Sequence, residues 1–105
     1  MAQFDAYENP SAAQREAFPY FVVLQSDQLD HCSTRLAMPL ARTPASAANM
    51  PRRLSQAVTV RGERLFLAPH LVAALPRAVL RRPVGSLRGD AAALIDALDA
   101  VVSGV

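Results

Sequence analysis

The segment from Phe18 to Gln25 limits the possible folds most strongly, because it places apolar side chains on both faces of an extended chain. Phe18, Tyr20, Val22 and Leu24 point to one face, and Phe21 and Val23 point to the other. A strand with two apolar faces has to be covered on both sides, which is typical of the interior of a sheet. We therefore predict a central β-strand over residues 20–25, opened by Pro19.

Shorter runs of the same kind precede and follow this strand, with turn residues between them. Polar and apolar residues alternate over 3–8 until Asn9-Pro10-Ser11 ends the run. Arg61-Gly62 stands between two apolar runs, which predicts a hairpin. Pro83 has no N–H to donate and excludes a central strand at 82–85. Further strands are predicted at 35–40, 57–60, 63–68 and 77–80, and single helical turns at 45–49 and within 69–75.

The last segment has the pattern of an amphipathic helix. Asp90 is a good N-cap, and strong helix formers follow it to Val102. Gly104 stands where a C-terminal cap glycine belongs. An apolar stripe is predicted from Leu94, Leu98, Val101 and Val105, with Ala92, Asp96, Asp99 and Ser103 forming the opposite, polar stripe. The sequence thus predicts one domain over 1–105, mainly β with one C-terminal α-helix, built as an antiparallel meander.

Charge is unevenly distributed along the 105 residues. Residues 1–89 hold all eleven basic residues, every one an arginine, and six acids, for a net charge of +5. Residues 90–105 hold three acids and no base, for −3. The densest basic group is Arg77, Arg81, Arg82 and Arg88, and it contains no aromatic residue. This pattern fits a solvated basic edge or an acidic protein partner, and it does not predict direct sequence-specific nucleic-acid binding.

No set of residues predicts catalysis, a metal site or a cofactor. His31 and Cys32 are adjacent and point in opposite directions on a strand, His70 is isolated, and Asp27 and Asp30 have the spacing of turn caps. A Cys32–His70 nucleophile pair has no supporting motif. A single cysteine fits a reducing compartment, and no signal peptide or apolar run of roughly 18 residues is evident. We expect a cytoplasmic protein without a membrane segment.

The order of several short motifs resembles the CcdB family of toxins. Gln3-Phe4 and Tyr7 match in the first strand, and Ala74-Leu75-Pro76 matches after the second hairpin. The most specific block runs through Leu24-Gln25-Ser26-Asp27, Leu29-Asp30 and Arg35-Leu36-Ala37-Met38-Pro39-Leu40. Val58 to Val60, Gly62-Glu63 and the closing Gly104-Val105 extend the match over the full chain.

This resemblance implies a fold and an activity. The implied fold is a five-stranded antiparallel sheet with a small extra sheet and a C-terminal helix, a small barrel shared with MazF ribonucleases. It implies a homodimer, neutralised by a CcdA-like antitoxin whose disordered tail folds on binding. The implied activity is to bind the A subunit of DNA gyrase and trap its cleaved complex with DNA, without bond chemistry of its own.

The implied target contact is the last three residues, here Ser103, Gly104 and Val105. The family has tryptophan where this chain has Ser103, and Arg82-Pro83 replaces a family acidic pair. Two alternatives stay open. A gyrase-inactive member would keep the fold and antitoxin binding and act as a decoy. A MazF-like endoribonuclease would need a glycine-rich early loop, but the loop at 9–17 has Ser11 and Arg15 without glycine.

Overall fold

The computed structural model describes residues 2–29, 31–43 and 56–103. Within these ranges the chain forms short strands joined by turns, followed by a single long helix. The strands are β1 (Asp5–Glu8), β2 (Tyr20–Val23), β3 (Thr34–Ala41), β4 (Ala57–Val60), β5 (Glu63–Leu67), β6 (Ala73–Pro76) and β7 (Pro83–Ser86), and the helix is α1 (Ala91–Ser103). The helical turn predicted at 45–49 lies outside the described residues.

All of these strands pair antiparallel in one curled sheet that forms a half-barrel. The order across the sheet is β4-β5-β3-β2-β1-β7, and β6 pairs with the first half of β3. The predicted fold class, mainly antiparallel β with one C-terminal helix, is confirmed. The hairpin of β4 and β5 and the short strand β6 join the same edge of β3.

The central position predicted for the second strand is confirmed. β2 lies between β1 and β3, with Val22 opposite both Ala6 and Met38. Val22 and Val23 are both buried, but in different clusters. Val22 joins the main core beneath α1, whereas Val23 packs with Tyr7 and Leu80 on the other face of the sheet.

The hairpin predicted at Arg61-Gly62 is also present. β4 and β5 pair from Val60 and Glu63 outward, and Arg61 and Gly62 alone form the connection. Both turn residues have positive φ, 53° for Arg61 and 79° for Gly62, as a type I′ turn requires. Glycine adopts this backbone readily, whereas arginine does so at a cost.

Two predictions between residues 69 and 80 are wrong in part. Only Pro69–Leu71 forms a 3-10 turn, and the residues after it form β6, because the first half of β3 needs a backbone partner on that edge. The strand predicted at 77–80 is instead a 3-10 turn over Arg77–Val79. Arg77 ends the ladder by donating its N–H to the carbonyl of Ser33 at 2.8 Å, and the chain then turns to bury Leu80.

Pro83 has the position that its missing N–H dictates. β7 begins at Pro83 and, among the described strands, pairs only with β1. The register between β1 and β7 shifts at Ala6 and Tyr7, which is a bulge next to the proline. The sequence excluded a central strand here, and the structure shows an edge strand.

The buried face of α1 differs from the predicted stripe. Leu94 is fully buried as predicted, and Leu98 packs at the margin of the core, but Val101 is 38% exposed. Ala97 and Ala100 are buried instead. The face of α1 that packs on the core is therefore formed by Leu94 and these two small residues, and it is rotated from the predicted stripe. The helix begins at Ala91 as predicted, directly after a 3-10 turn over Arg88–Asp90.

The difference in burial between two alanines of α1 predicts different outcomes for their substitution. Ala97→Leu adds volume where Ala97 is 0% exposed and should lower the free energy of unfolding by about 1–3 kcal/mol through overpacking. Ala92→Leu, on the exposed face, should change it by no more than about 0.5 kcal/mol. Urea denaturation of both variants checks this. Equal stability of the two variants would contradict the assigned buried face.

Candidate functional site

The residues predicted to contact a target lie at the carboxyl end of α1. Ser103 is the last residue of the helix. The side chain of Ser103 and the whole of Gly104 and Val105 lie outside the described residues. The preceding turns, from Ile95 to Val102, therefore define the surface that leads to this end.

Exposed aliphatic side chains follow α1 toward its carboxyl end. Ile95 is 50% exposed and Val102 is 77% exposed. These two residues are seven positions apart, about two helical turns, so they lie on the same side of the helix and form what we call the helix ridge. Leu98 lies beside the ridge and is partly buried against the core. Such exposure of large apolar groups on a small domain is typical of a contact surface.

An acidic stripe runs beside the helix ridge. Asp96 and Asp99 are exposed, as is Ala92, which confirms the predicted polar face for these three residues. Gln56, just before β4, reaches Asp96 with an amide-to-carboxylate distance of 3.5 Å. The last turn of α1 carries no basic residue, so the carboxylates add to the partial negative charge that a helix has at its carboxyl end. The end of α1 is thus aliphatic and electronegative, which suits a basic partner surface.

A first open cleft, of about 820 Å³, contains the adjacent residues His31 and Cys32. Arg77 and Arg81 also line it. The expectation that His31 and Cys32 point in opposite directions is wrong, because they lie in the turn before β3 and not in a strand. Cys32 Sγ is 3.9 Å from His31 Nε2. His70 lies in the turn Pro69–Leu71 and does not line this cleft, so the structure does not assemble a Cys32–His70 pair.

A buried arginine orders the turn that carries Cys32. Arg35 is 2% exposed and donates from Nη1 to the carbonyl oxygens of Cys32 and Thr34. A buried guanidinium needs such acceptors, because desolvation without them is costly. Arg35 belongs to the motif that carries the family resemblance, and its contacts here serve the structure of the turn.

Asp27 also has a structural role. Its Oδ1 accepts the backbone N–H of Gln3 at 2.7 Å, and the side-chain amide of Gln3 donates to the carbonyl of Leu24 at 2.9 Å. These bonds join the start of the chain to the end of β2. The sequence predicted that Asp27 caps its own turn, but its carboxylate instead accepts from Gln3, 24 residues earlier in the chain, and Ser26 Oγ accepts the N–H of Gln28 within the turn at 3.3 Å. Asp30 lies outside the described residues.

A second cleft, of about 550 Å³, collects arginines that are distant in sequence. We call it the arginine cleft, and four arginines line it: Arg15, Arg61, Arg81 and Arg82. The sequence grouped Arg81 and Arg82 with Arg77 and Arg88, but Arg77 lines the other cleft and Arg88 lines neither. Arg15 and Arg61 were missed: Arg15 reaches the cleft through its contacts beside β1, which pairs with β7, and Arg61 reaches it through the curl of the sheet.

The described ranges, 2–29, 31–43 and 56–103, contain neither a metal-binding cluster nor a membrane-spanning helix. No group of three or more histidine, cysteine, aspartate or glutamate side chains in them is arranged to hold a metal ion. No helix in them has the length and apolar character needed to cross a membrane.

Comparison with known proteins agrees with the architecture. No curated protein matches the chain. A family model described as CcdB protein matches residues 3–104, which includes every described strand and the whole of α1. On the strength of that match, over nearly the full chain and on a curled antiparallel sheet with one C-terminal helix, the chain belongs to the CcdB family of toxins.

Proposed function

We propose that this CcdB-type toxin acts on DNA gyrase through the carboxyl end of α1, comprising the helix ridge together with Ser103, Gly104 and Val105. In this proposal the protein is a cytoplasmic homodimer, which a CcdA-like antitoxin neutralises. It binds the gyrase A subunit and traps the cleaved complex with DNA, and it does so by binding alone, without a catalytic residue or cofactor.

The observation that carries the proposal is the exposure of Val102 one residue before the predicted contact residues. Val102 is 77% exposed on the last turn and, with Ile95, forms an exposed aliphatic surface of the kind that is typical of a contact site. The adjacent acidic stripe supports the choice of target. Enzymes that hold DNA present basic surfaces to it, and an electronegative helix end complements such a surface.

The contact differs in strength from that of a family member with a C-terminal tryptophan. Tryptophan buries roughly 150–250 Å² in a contact and is among the commonest interface hot spots. Losing a hot spot typically costs about 2 kcal/mol or more, equivalent to about thirtyfold in affinity. Aliphatic side chains such as Val102 recover part of this by burying their own surface. The proposed toxin is therefore a weaker gyrase ligand than one with tryptophan at position 103.

Ser103 also favours a second candidate function. A protein that keeps the fold and antitoxin binding but has no aromatic contact would act as a decoy, drawing antitoxin away from other toxins. The two functions differ in gyrase inhibition alone, so assays with purified gyrase separate them.

The role of the helix ridge can be tested by removing its most exposed side chain. Val102→Ser should raise the concentration needed to inhibit gyrase supercoiling by about fivefold or more, because it removes exposed aliphatic surface from the contact. Leu29→Ser is the matched control, since Leu29 is also an exposed aliphatic residue, 46% exposed, in the turn Asp27–Leu29 far from α1 in sequence. Equal inhibition by both variants and the parent would show that the ridge is not the contact.

The role of position 103 can be tested by introducing an aromatic side chain there. Ser103→Trp should increase gyrase inhibition by about thirtyfold, since it supplies a hot-spot side chain to an otherwise complete scaffold. The measurement is plasmid supercoiling by purified gyrase against toxin concentration, supported by growth arrest on expression without antitoxin. A Ser103→Trp variant that folds and inhibits no better than the parent would contradict a contact at this end.

A further inference from the structure

The arginine cleft lies where the two ends of the curled sheet approach each other. Arg61 belongs to the turn of the β4–β5 hairpin, at one end of the strand order, whereas Val84 belongs to β7 at the other end. Both residues line the same cleft. The cleft is therefore the seam of the half-barrel, and the fold itself brings the arginines together.

Arg15 is held in this seam by its neighbours. Asn9 is 1% exposed, and its side chain stabilises the loop between β1 and β2. Its Nδ2 donates to the carbonyl of Phe18 at 2.8 Å, and its Oδ1 accepts the backbone N–H of Ser11 at 2.8 Å. The carbonyl of Asn9 then accepts the Nε–H of Arg15 at 3.0 Å. Glu8 lies 3.6 Å from Arg15 and, among the residues that the structure describes, is the only acidic one that lines the cleft. One carboxylate therefore faces four guanidinium groups, which leaves the seam strongly positive.

Arg61 is kept in a backbone conformation that suits arginine poorly. Its φ of 53° is left-handed, and asparagine or glycine fits this position of a type I′ turn better. Conformations of this kind cost folding free energy and are often found at functional positions. The side chain at position 61 lines the arginine cleft. Arginine at this position contributes a positive charge that asparagine would lack.

The remaining lining separates two kinds of anionic ligand. The lining also includes small apolar side chains, among them Ala78, Val79 and Val84, and no described residue of the lining is aromatic. Nucleic acids are bound by stacking aromatics or by broad basic surfaces. A mixed basic and apolar groove fits instead a polypeptide that carries carboxylates among aliphatic residues. Pro83 at the start of β7 disfavours the pairing of a ligand strand with this edge of the sheet. A bound polypeptide would therefore be recognised through side-chain contacts.

We propose that the arginine cleft binds an acidic polypeptide segment in which carboxylates are interspersed with small aliphatic side chains. The planar guanidinium groups of Arg61, Arg81 and Arg82 pair with the carboxylates, and the apolar floor receives the aliphatic groups. This inference deepens the proposed pairing with an antitoxin, on which it rests for the source of the segment. It does not depend on gyrase, whose proposed contact is on α1.

The test uses a labelled short peptide in which glutamate alternates with leucine or alanine, and it measures fluorescence anisotropy against the full chain. We expect micromolar binding that weakens as salt is raised, because exposed charges are screened. Arg82→Glu should weaken binding by about tenfold or more. Arg88→Glu is the matched control, since Arg88 is exposed, undergoes the same charge change and lines neither cleft; it should alter binding by less than about twofold.

Arg61→Asn separates binding from folding. Because asparagine is favoured at this position of a type I′ turn, the urea concentration at the unfolding midpoint should stay the same or rise, while the affinity for the peptide falls. The proposal is overturned if Arg88→Glu weakens binding as much as Arg82→Glu, if the peptide with lysine in place of glutamate binds equally well, or if a DNA duplex binds more tightly than the peptide. Gyrase inhibition is measured in a separate assay, so a toxin inactive on gyrase that still binds the peptide would refute the gyrase contact and leave the cleft assignment intact.

Discussion

The backbone pairing of β3 is the constraint on which the rest of the structure depends. This strand has β2 along one edge, and its other edge is divided between β6 at the beginning and β5 at the end. Six of its last seven residues are buried, including Arg35, so the strand provides side chains to both faces of the sheet. The division of one edge between two strands fits the curled sheet, because β5 and β6 diverge from β3 in different directions.

The curl of the sheet has two consequences for function. On one face of the sheet lies the main core, which α1 joins through Leu94 and Ala97. This packing turns Ile95 and Val102 outward and brings the acidic stripe beside them. At the open seam, the curl brings Arg61 to Arg81 and Arg82. The proposed target contact and the proposed acidic-segment cleft thus both follow from the shape of one sheet, and they lie on different surfaces.

Much of the fold was predictable because its signals are local. Period-two alternation, Arg61-Gly62 and Pro83 each act within a few residues, and each gave the correct element. The segment from residue 69 to residue 80 was predicted less well, since Ala73–Pro76 becomes a strand only because β3 has a free edge there, which no local pattern shows. The buried stripe of α1 was misplaced because hydropathy favours Val101 over Ala97, whereas the close-packed core holds the smaller residue.

For the candidate sites too, the sequence predicted only the features with local signals. The importance of the carboxyl end followed from the resemblance and from the helix pattern, but the exposure of Val102 depends on the helix rotation and needed the structure. The arginine cleft joins residues from positions 15 to 82, a juxtaposition that the pairing of β1 with β7 and the curl of the sheet create together. The clustering of His31 with Cys32 likewise depends on a turn where the sequence suggested extended chain.

The most direct test of the account is a gyrase cleavage assay with the full chain and with a chain that ends at Val102. Purified gyrase and plasmid are incubated with each protein, and trapped complexes are released as linear DNA with detergent and protease. The account predicts that linear DNA accumulates with the full chain and not with the shortened one, although both unfold at the same urea concentration. Absence of linear DNA with micromolar full chain, or equal accumulation with the shortened chain, would contradict it.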